Sequence, residues 1–209
     1  NCVKDLNTGL MWARYVPTAD IGPAADGKLF WEQWTLGPKI DISFANATSI
    51  INSAAGEFNI LALCIGRKFT VSGSGLNDGT YTVTAITVNN ITVAEALADE
   101  GAGASVSFAT VDDLIWDALA QANANSLGGY SDWRIPNYFE LSSIVNLGNC
   151  NPAIDTTVFP STPNTHHWTS STHPCFTAYA FNVSFYSGYI NYSIKQEFKY
   201  YLRFVRGGN

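Results

Sequence analysis

From residue 179 the chain alternates. Tyr179, Phe181, Val183 and Phe185 share one side of a period-two pattern and Ala180, Asn182 and Ser184 the other, the signature of a half-buried strand. Tyr186-Ser187-Gly188 then predicts a hairpin turn. A second strand follows, with Ile190, Tyr192 and Ile194 on one side and Tyr189, Asn191 and Ser193 on the other. Tyr201 to Arg206 predicts a third, Leu202 and Phe204 lying opposite Arg203. The tail therefore reads as a small antiparallel sheet.

The same reading applied from the N-terminus gives a hairpin over residues 1–13, turning at Asn7-Thr8-Gly9 and sending Met11 and Trp12 into the core. Residues 16–38 are rich in Gly, Pro and Ala and predict a loop anchored by Phe30, Trp31 and Trp34. Between residues 40 and 109 the alternation returns at Lys68–Ser72, Thr80–Thr84 and Asn90–Val93, with turn signals at Asn77-Asp78-Gly79 and Asn89-Asn90. Residues 41–55 do not keep a helical period and carry β-branched Thr48, Ile50 and Ile51, so they are expected as strand and turn. Leu114, Ile115, Ala118, Leu119 and Ala122 form one helical face, capped by Asp112 or Asp113 and stopped by Gly128-Gly129. A second helix is expected from Tyr138 to Leu147, started by Pro136-Asn137 and carrying Leu141, Ile144 and Val145.

Composition narrows the function. Of 209 residues, 46% are hydrophobic and only 13% charged, which suits a globular, loop-rich chain. A net charge of −6 and a pI near 4.9 argue against nucleic acid as a partner, since a phosphate-tracking surface is basic. The apolar stretch 58–65 is too short to span a bilayer, so no membrane insertion is expected. The sequence starts at Asn1 without Met, and an upstream signal or domain is expected to have been removed. Cys2, Cys64, Cys150 and Cys175 fit no zinc spacing, and Cys150 with Cys175, flanking a Pro-rich loop, is the candidate disulfide of an exported protein.

Thr8-Gly9-Leu10-Met11-Trp12, residues 129–137 (GYSDWRIPN), Glu140-Leu141, Ile154-Asp155, Phe159-Pro160, Trp168-Thr169-Ser170-Ser171-Thr172 and a final Val205-Arg206 occur in one order along the chain. Together they resemble the C-terminal domain of collagen-like bacterial adhesins. That resemblance implies an α+β C-type lectin fold, two helices packed on a small twisted antiparallel sheet, formed by residues 1–37 and 111–209. Residues 38–110 depart from the pattern and resemble a short β module of phage and viral structural proteins, inserted into it. The tail is also similar to that of proteins varied by a diversity-generating retroelement, because many of its residues are reachable from Asn codons by adenine mutagenesis. Lys195, Gln196, Glu197 and Lys199 lie outside that reachable set.

The resemblance is to a binding protein, and the residues agree. No nucleophile elbow, P-loop or dinucleotide fingerprint occurs. Residues 135–137 are Ile-Pro-Asn, not the Glu-Pro-Asn of a calcium-dependent sugar site, and no metal or cofactor is assigned. Asp132 and Arg134 are expected to form a structural ion pair. His166, His167 and His173 alternate poorly for a shared metal site. The expected contact face comprises His173, Cys175, Phe176, Asn182, Ser184, Tyr186, Ser187, Tyr189, Asn191, Tyr192 and Ser193, a Tyr/Ser/Asn mixture of the kind found in paratopes. Phe181, Val183, Phe185 and Val205 are expected as scaffold. The function expected is non-enzymatic binding of a protein or glycan ligand, outside the cell or on a cell or virion surface. An oxidoreductase related to the formylglycine-generating enzymes and a structural tail or fibre domain are the alternatives.

Overall fold

The computed structural model describes residues 2–14, 28–58, 63, 65–111 and 114–207. Cys64, the helix-capping Asp112 and Asp113, and most of the expected Gly/Pro/Ala loop lie outside them. The chain forms two compact units, one of Asn1–Glu32 with Asp113–Asn209 and the other of Gln33–Asp112.

The first unit begins with the expected hairpin, β1 (Cys2–Lys4) and β2 (Met11–Ala13), with Val3 opposite Trp12. The Asp5 carboxylate closes the turn by accepting from the Asn7 amide at 2.9 Å and the Thr8 hydroxyl at 2.6 Å. Those bonds hold the Asp5 carboxyl below its ordinary range. A two-residue strand, β3 (Leu29–Phe30), precedes the second unit.

The second unit is one seven-stranded sheet. Its strands are β4 (Thr35–Lys39), β5 (Ile42–Ala45), β6 (Ile50–Ser53), β7 (Lys68–Ser72), β8 (Gly79–Ile86), β9 (Asn90–Val93) and β10 (Val106–Thr110), in the order β4-β10-β7-β8-β9-β6-β5. Residues 41–55 are strand and turn, as the β-branched residues require. Alternate residues Ile42, Phe44, Ile51, Phe69, Val71, Tyr81, Val83, Ile91, Val93, Val106 and Phe108 are buried on one side and build its core. Carboxylates pin its turns: Glu100 accepts from the amides of Gly75 and Leu76 and from the Asn77 side chain, and Glu95 from Thr82.

The chain then returns to the first unit. It forms α1 (Ile115–Ala124), α2 (Tyr138–Ser143), β11 (His166–Thr172), β12 (Tyr179–Ser184), β13 (Ile190–Ile194), β14 (Lys199–Tyr200) and β15 (Val205–Arg206). The sheets are β1-β2-β15, β11-β12-β13 and the pair β14-β3. The terminal strands therefore meet, Trp12 opposite Val205. One core gathers Trp133, Ile135, Trp168, Ala180, Leu202 and Phe204 under α1. Another gathers Leu10, Trp12, Leu141, Ile154, Val183, Phe185 and Val205.

This architecture overturns the expected α+β C-type lectin fold. The described residues form four sheets from fifteen strands against α-helices of ten and six residues, a β-rich fold. The second helix shows why the helical pattern misled. Asn137 and Glu140 form a full capping box at its start, but it ends at Ser143 instead of reaching Leu147. Val145 and Leu147 instead sit beside Gly188, where a Cβ would lie 2.8 and 2.7 Å from their side chains. The third tail strand is likewise shorter than expected. Leu202, Arg203 and Phe204 are all buried, so the stretch lacks a solvent side and only Val205–Arg206 pairs as a strand.

Candidate ligand-binding face

β12 is the middle strand of its sheet and pairs residue by residue with β13, Phe181 opposite Tyr192 and Tyr179 opposite Ile194. Opposed residues share a face, so Tyr179, Phe181 and Tyr192 stand together. Tyr138 of α2 lies against Phe181 with ring centroids 4.8 Å apart, and Phe139 lies 4.0 Å from Tyr138. His173 fills the middle, 5.3 Å from Phe181, 4.7 Å from Tyr192 and 5.0 Å from Phe176. Phe176 and Tyr192 each continue to Tyr179, at 5.9 and 5.7 Å. The result is an unbroken run of rings from Phe139 to Phe176. Its outer members are open to solvent: Phe139 is 68%, Phe176 54% and Tyr192 51% exposed.

The loop that carries Phe176 is held by His173. Its Nδ1 accepts from the amides of Cys175 and Phe176, both at 3.2 Å, while the His173 amide donates to Tyr179 O at 2.9 Å. A ring nitrogen that accepts two amides carries no proton, so the imidazole proton sits on Nε2. At the other end of the sheet the hairpin presents Tyr186 and Tyr189, 58% and 72% exposed. Gly188 closes it with φ +81°, a conformation costly for other residues.

The expected contact residues divide accordingly. His173, Phe176 and Tyr192 join the ring run, Cys175 is exposed on its loop, and Tyr186, Ser187 and Tyr189 form the hairpin. Asn182 and Ser184 do not belong to the face. They are 0% and 4% exposed and point to the opposite, inward side of β12. There Asn182 donates to Ser193 Oγ at 3.1 Å, and Ser193 lies 3.0 Å from the Tyr200 hydroxyl. Asn191 is exposed but opposes Asn182, so it too stands across the strand from the rings. Val183, Phe185 and Val205 are buried scaffold, whereas Phe181 is half-buried and forms the floor of the face. Tyr138 and Phe139 were missed, because a helix pattern says nothing of the sheet beside it.

Other expectations are corrected here. Arg134 pairs with Glu140, not Asp132, through two bonds of 2.7 and 2.6 Å. Asp132 instead pairs with Arg206 at 2.5 Å. Cys150 and Cys175 are free thiols, so the expected disulfide is not formed. The three histidines occupy different surroundings: His166 stacks on Tyr200, His167 is fully buried against Phe185, and His173 lies in the ring run. Among the described residues no group of three His, Cys, Asp or Glu is placed to hold a metal ion.

The model of the Lcl C-terminal domain family matches residues 1–206. The chain belongs to the Lcl C-terminal domain family. The match runs through both units, and the ring run is carried by the family's C-terminal part. No curated protein and no solved structure matches the chain. Among the described residues no helix is long and apolar enough to cross a membrane.

Proposed function

We propose that this Lcl C-terminal domain is the non-enzymatic binding end of a surface-displayed, adhesin-like protein. Its contact surface is the ring run from Phe139 through Phe181, His173 and Tyr192 to Phe176. The observation that supports this reading is the exposure of those rings in a region without charge: residues 173–194 contain no Asp, Glu, Lys or Arg. Aromatic rings left in water are normally buried by something, and rigid rings give contact area at little entropic cost. An extracellular location follows from this role.

The test is binding of the purified chain to immobilised cell-surface glycans and to cell-surface proteins, with Tyr192→Ala and Phe176→Ala beside the parent chain. Loss of about tenfold or more in affinity at either position supports the face. Unchanged binding by both variants removes it. The diversification expectation has its own test in the coding tails of sibling loci: replacements confined to the codons of 173–193 support it, and invariant tails end it.

A further inference from the structure

We infer that the free edge of β13 takes up an extended polypeptide segment of a partner protein, which joins the β11-β12-β13 sheet as a fourth strand beside the ring run. The inference rests on the proposed binding face and specifies its partner class.

Register decides which backbone groups are available. The Ser184 amide donates to Tyr189 O and the Lys195 amide to Ala178 O, so the hydrogen-bonded pairs of this ladder are 184/189, 182/191, 180/193 and 178/195. Residues 191 and 193 thus turn their amides and carbonyls towards β12, as do the Tyr189 carbonyl and the Lys195 amide. Ile190 and Tyr192 turn theirs the other way. No strand among the described residues pairs on that side, and Ile190, Asn191 and Tyr192 are all exposed, Ile190 at 42%. Beyond them the edge closes: Ile194 O accepts from the Glu197 and Phe198 amides, and Lys195 O from those of Trp31 and Glu32. Two donors and two acceptors therefore stand in strand register over three residues.

Sheet edges of this kind are normally blunted by Lys, Pro or a bulge. This one has Ile190, Asn191 and Tyr192, all uncharged and the first and last β-favouring, with a regular ladder to β12. An extended backbone matches such an edge, and its alternate side chains would fall on the side of Tyr192, Phe181 and Tyr179. The uncharged surroundings select a neutral, β-branched or aromatic segment. A second copy of this chain is disfavoured, because each copy brings a net charge of −6.

The experiment selects linear peptides from a phage-displayed dodecapeptide library on the parent chain. It then measures selected synthetic peptides against Ile190→Pro, Ile190→Lys and Tyr192→Ala, with amide hydrogen exchange of the parent with and without peptide. Proline at 190 removes only an outward N–H, so the ladder to β12 is kept. The expected result is fast exchange at the Ile190 and Tyr192 amides, slowed by peptide, and affinity lost by about tenfold or more in both position-190 variants. Binding that Tyr192→Ala abolishes and both position-190 variants retain, without slowed exchange at 190 and 192, overturns strand addition and leaves the ring face standing. Selection of no peptide, with binding of glycans alone, also overturns it. So does slowed exchange at these amides that follows protein concentration instead of peptide, which assigns the edge to a second copy.

Discussion

Arg203 reaches back across 190 positions of sequence to donate from Nη1 to the carbonyl of Ala13 at 2.7 Å. The same nitrogen bonds Arg14 O at 2.9 Å, Nη2 bonds the Thr162 hydroxyl at 2.8 Å, and the guanidinium lies 4.8 Å from the Phe159 ring centroid. The side chain is fully buried, and burial lowers its pKa to about 9. A buried cation held by neutral oxygens and a ring is a clamp on the end of β2. Replacing Arg203 by Met strands two carbonyls and a hydroxyl, and is expected to destabilise the chain by about 3 kcal/mol. Urea unfolding of Arg203→Met checks this; a loss below about 1 kcal/mol removes the clamp.

His167 makes the fold sensitive to acid. It is fully buried, Nδ1 donates to Thr165 O, and Nε2 has no partner. Burial, aided by the Arg203 charge, pushes its pKa from 6.5 down to about 3. The unfolded chain takes up a proton near 6.5 and the folded chain only near 3, so this contribution is complete above 6.5 and is lost as pH falls between those values. The slope is at most about 1.4 kcal/mol per pH unit. Burial shifts half-buried His166 in the same direction, so it adds to the slope. His167→Phe is expected to flatten the dependence of thermal midpoint on pH between 6.5 and 5, above the range where carboxylates titrate. An unchanged slope assigns the effect elsewhere.

Gly188 ties the hairpin to the segment after α2. A Cβ there meets Leu147 and Val145 at 2.7 and 2.8 Å, and φ is +81°. Gly188→Val should cost about 2 kcal/mol or more from strain and overpacking together. It should also displace Tyr186 and Tyr189, visible as shifted side-chain NMR signals of both tyrosines. Unmoved signals with full stability argue against the tie.

The second unit is expected to be removable. Its first and last strands pair, Thr35 opposite Ala109, and the Thr110 amide donates to Trp34 O at 2.9 Å. In the first unit Phe30 bridges Leu114, so the two cut ends are neighbours there. A chain in which a short Gly-Ser linker replaces residues 33–112 should unfold cooperatively by heat, as should residues 33–112 alone. Aggregation or non-cooperative melting of both pieces speaks against two independent units.

Much of this was legible in the residues. Period-two alternation of residue types located β12, β13, the N-terminal hairpin and most of the second unit, where alternate residues such as Phe69, Val71, Tyr81, Val83, Ile91 and Val93 are buried on one side. Where both sides are buried the signal fails. Asn182 and Ser184 look like a solvent side, yet both are buried, Asn182 bonding Ser193 beside Tyr200, and Arg203 is interior although it alternates with Leu202 and Phe204. The ion pairs failed for another reason. Arg134 finds Glu140 one helical turn into α2, and Asp132 finds Arg206 at a separation of 74 positions, which local spacing does not encode. The ring run was half legible, since its β12 and β13 members follow from alternation while Tyr138 and Phe139 depend on where α2 lands.

The pairing of β2 with β15 has a consequence for biosynthesis. Trp12 waits for Val205. As the chain leaves the ribosome, residues 33–112 are complete and can fold while β2 still lacks β15 and β3 still lacks β14. The β1-β2-β15 sheet is completed only when residues 205–206 emerge, after the β11-β12-β13 sheet that carries the rings already has all its strands. A chain stopped before residue 205 would thus lose an outer strand of the β1-β2-β15 sheet, and Val205 from the core it shares with Val183 and Phe185, while sparing the sheet of the second unit.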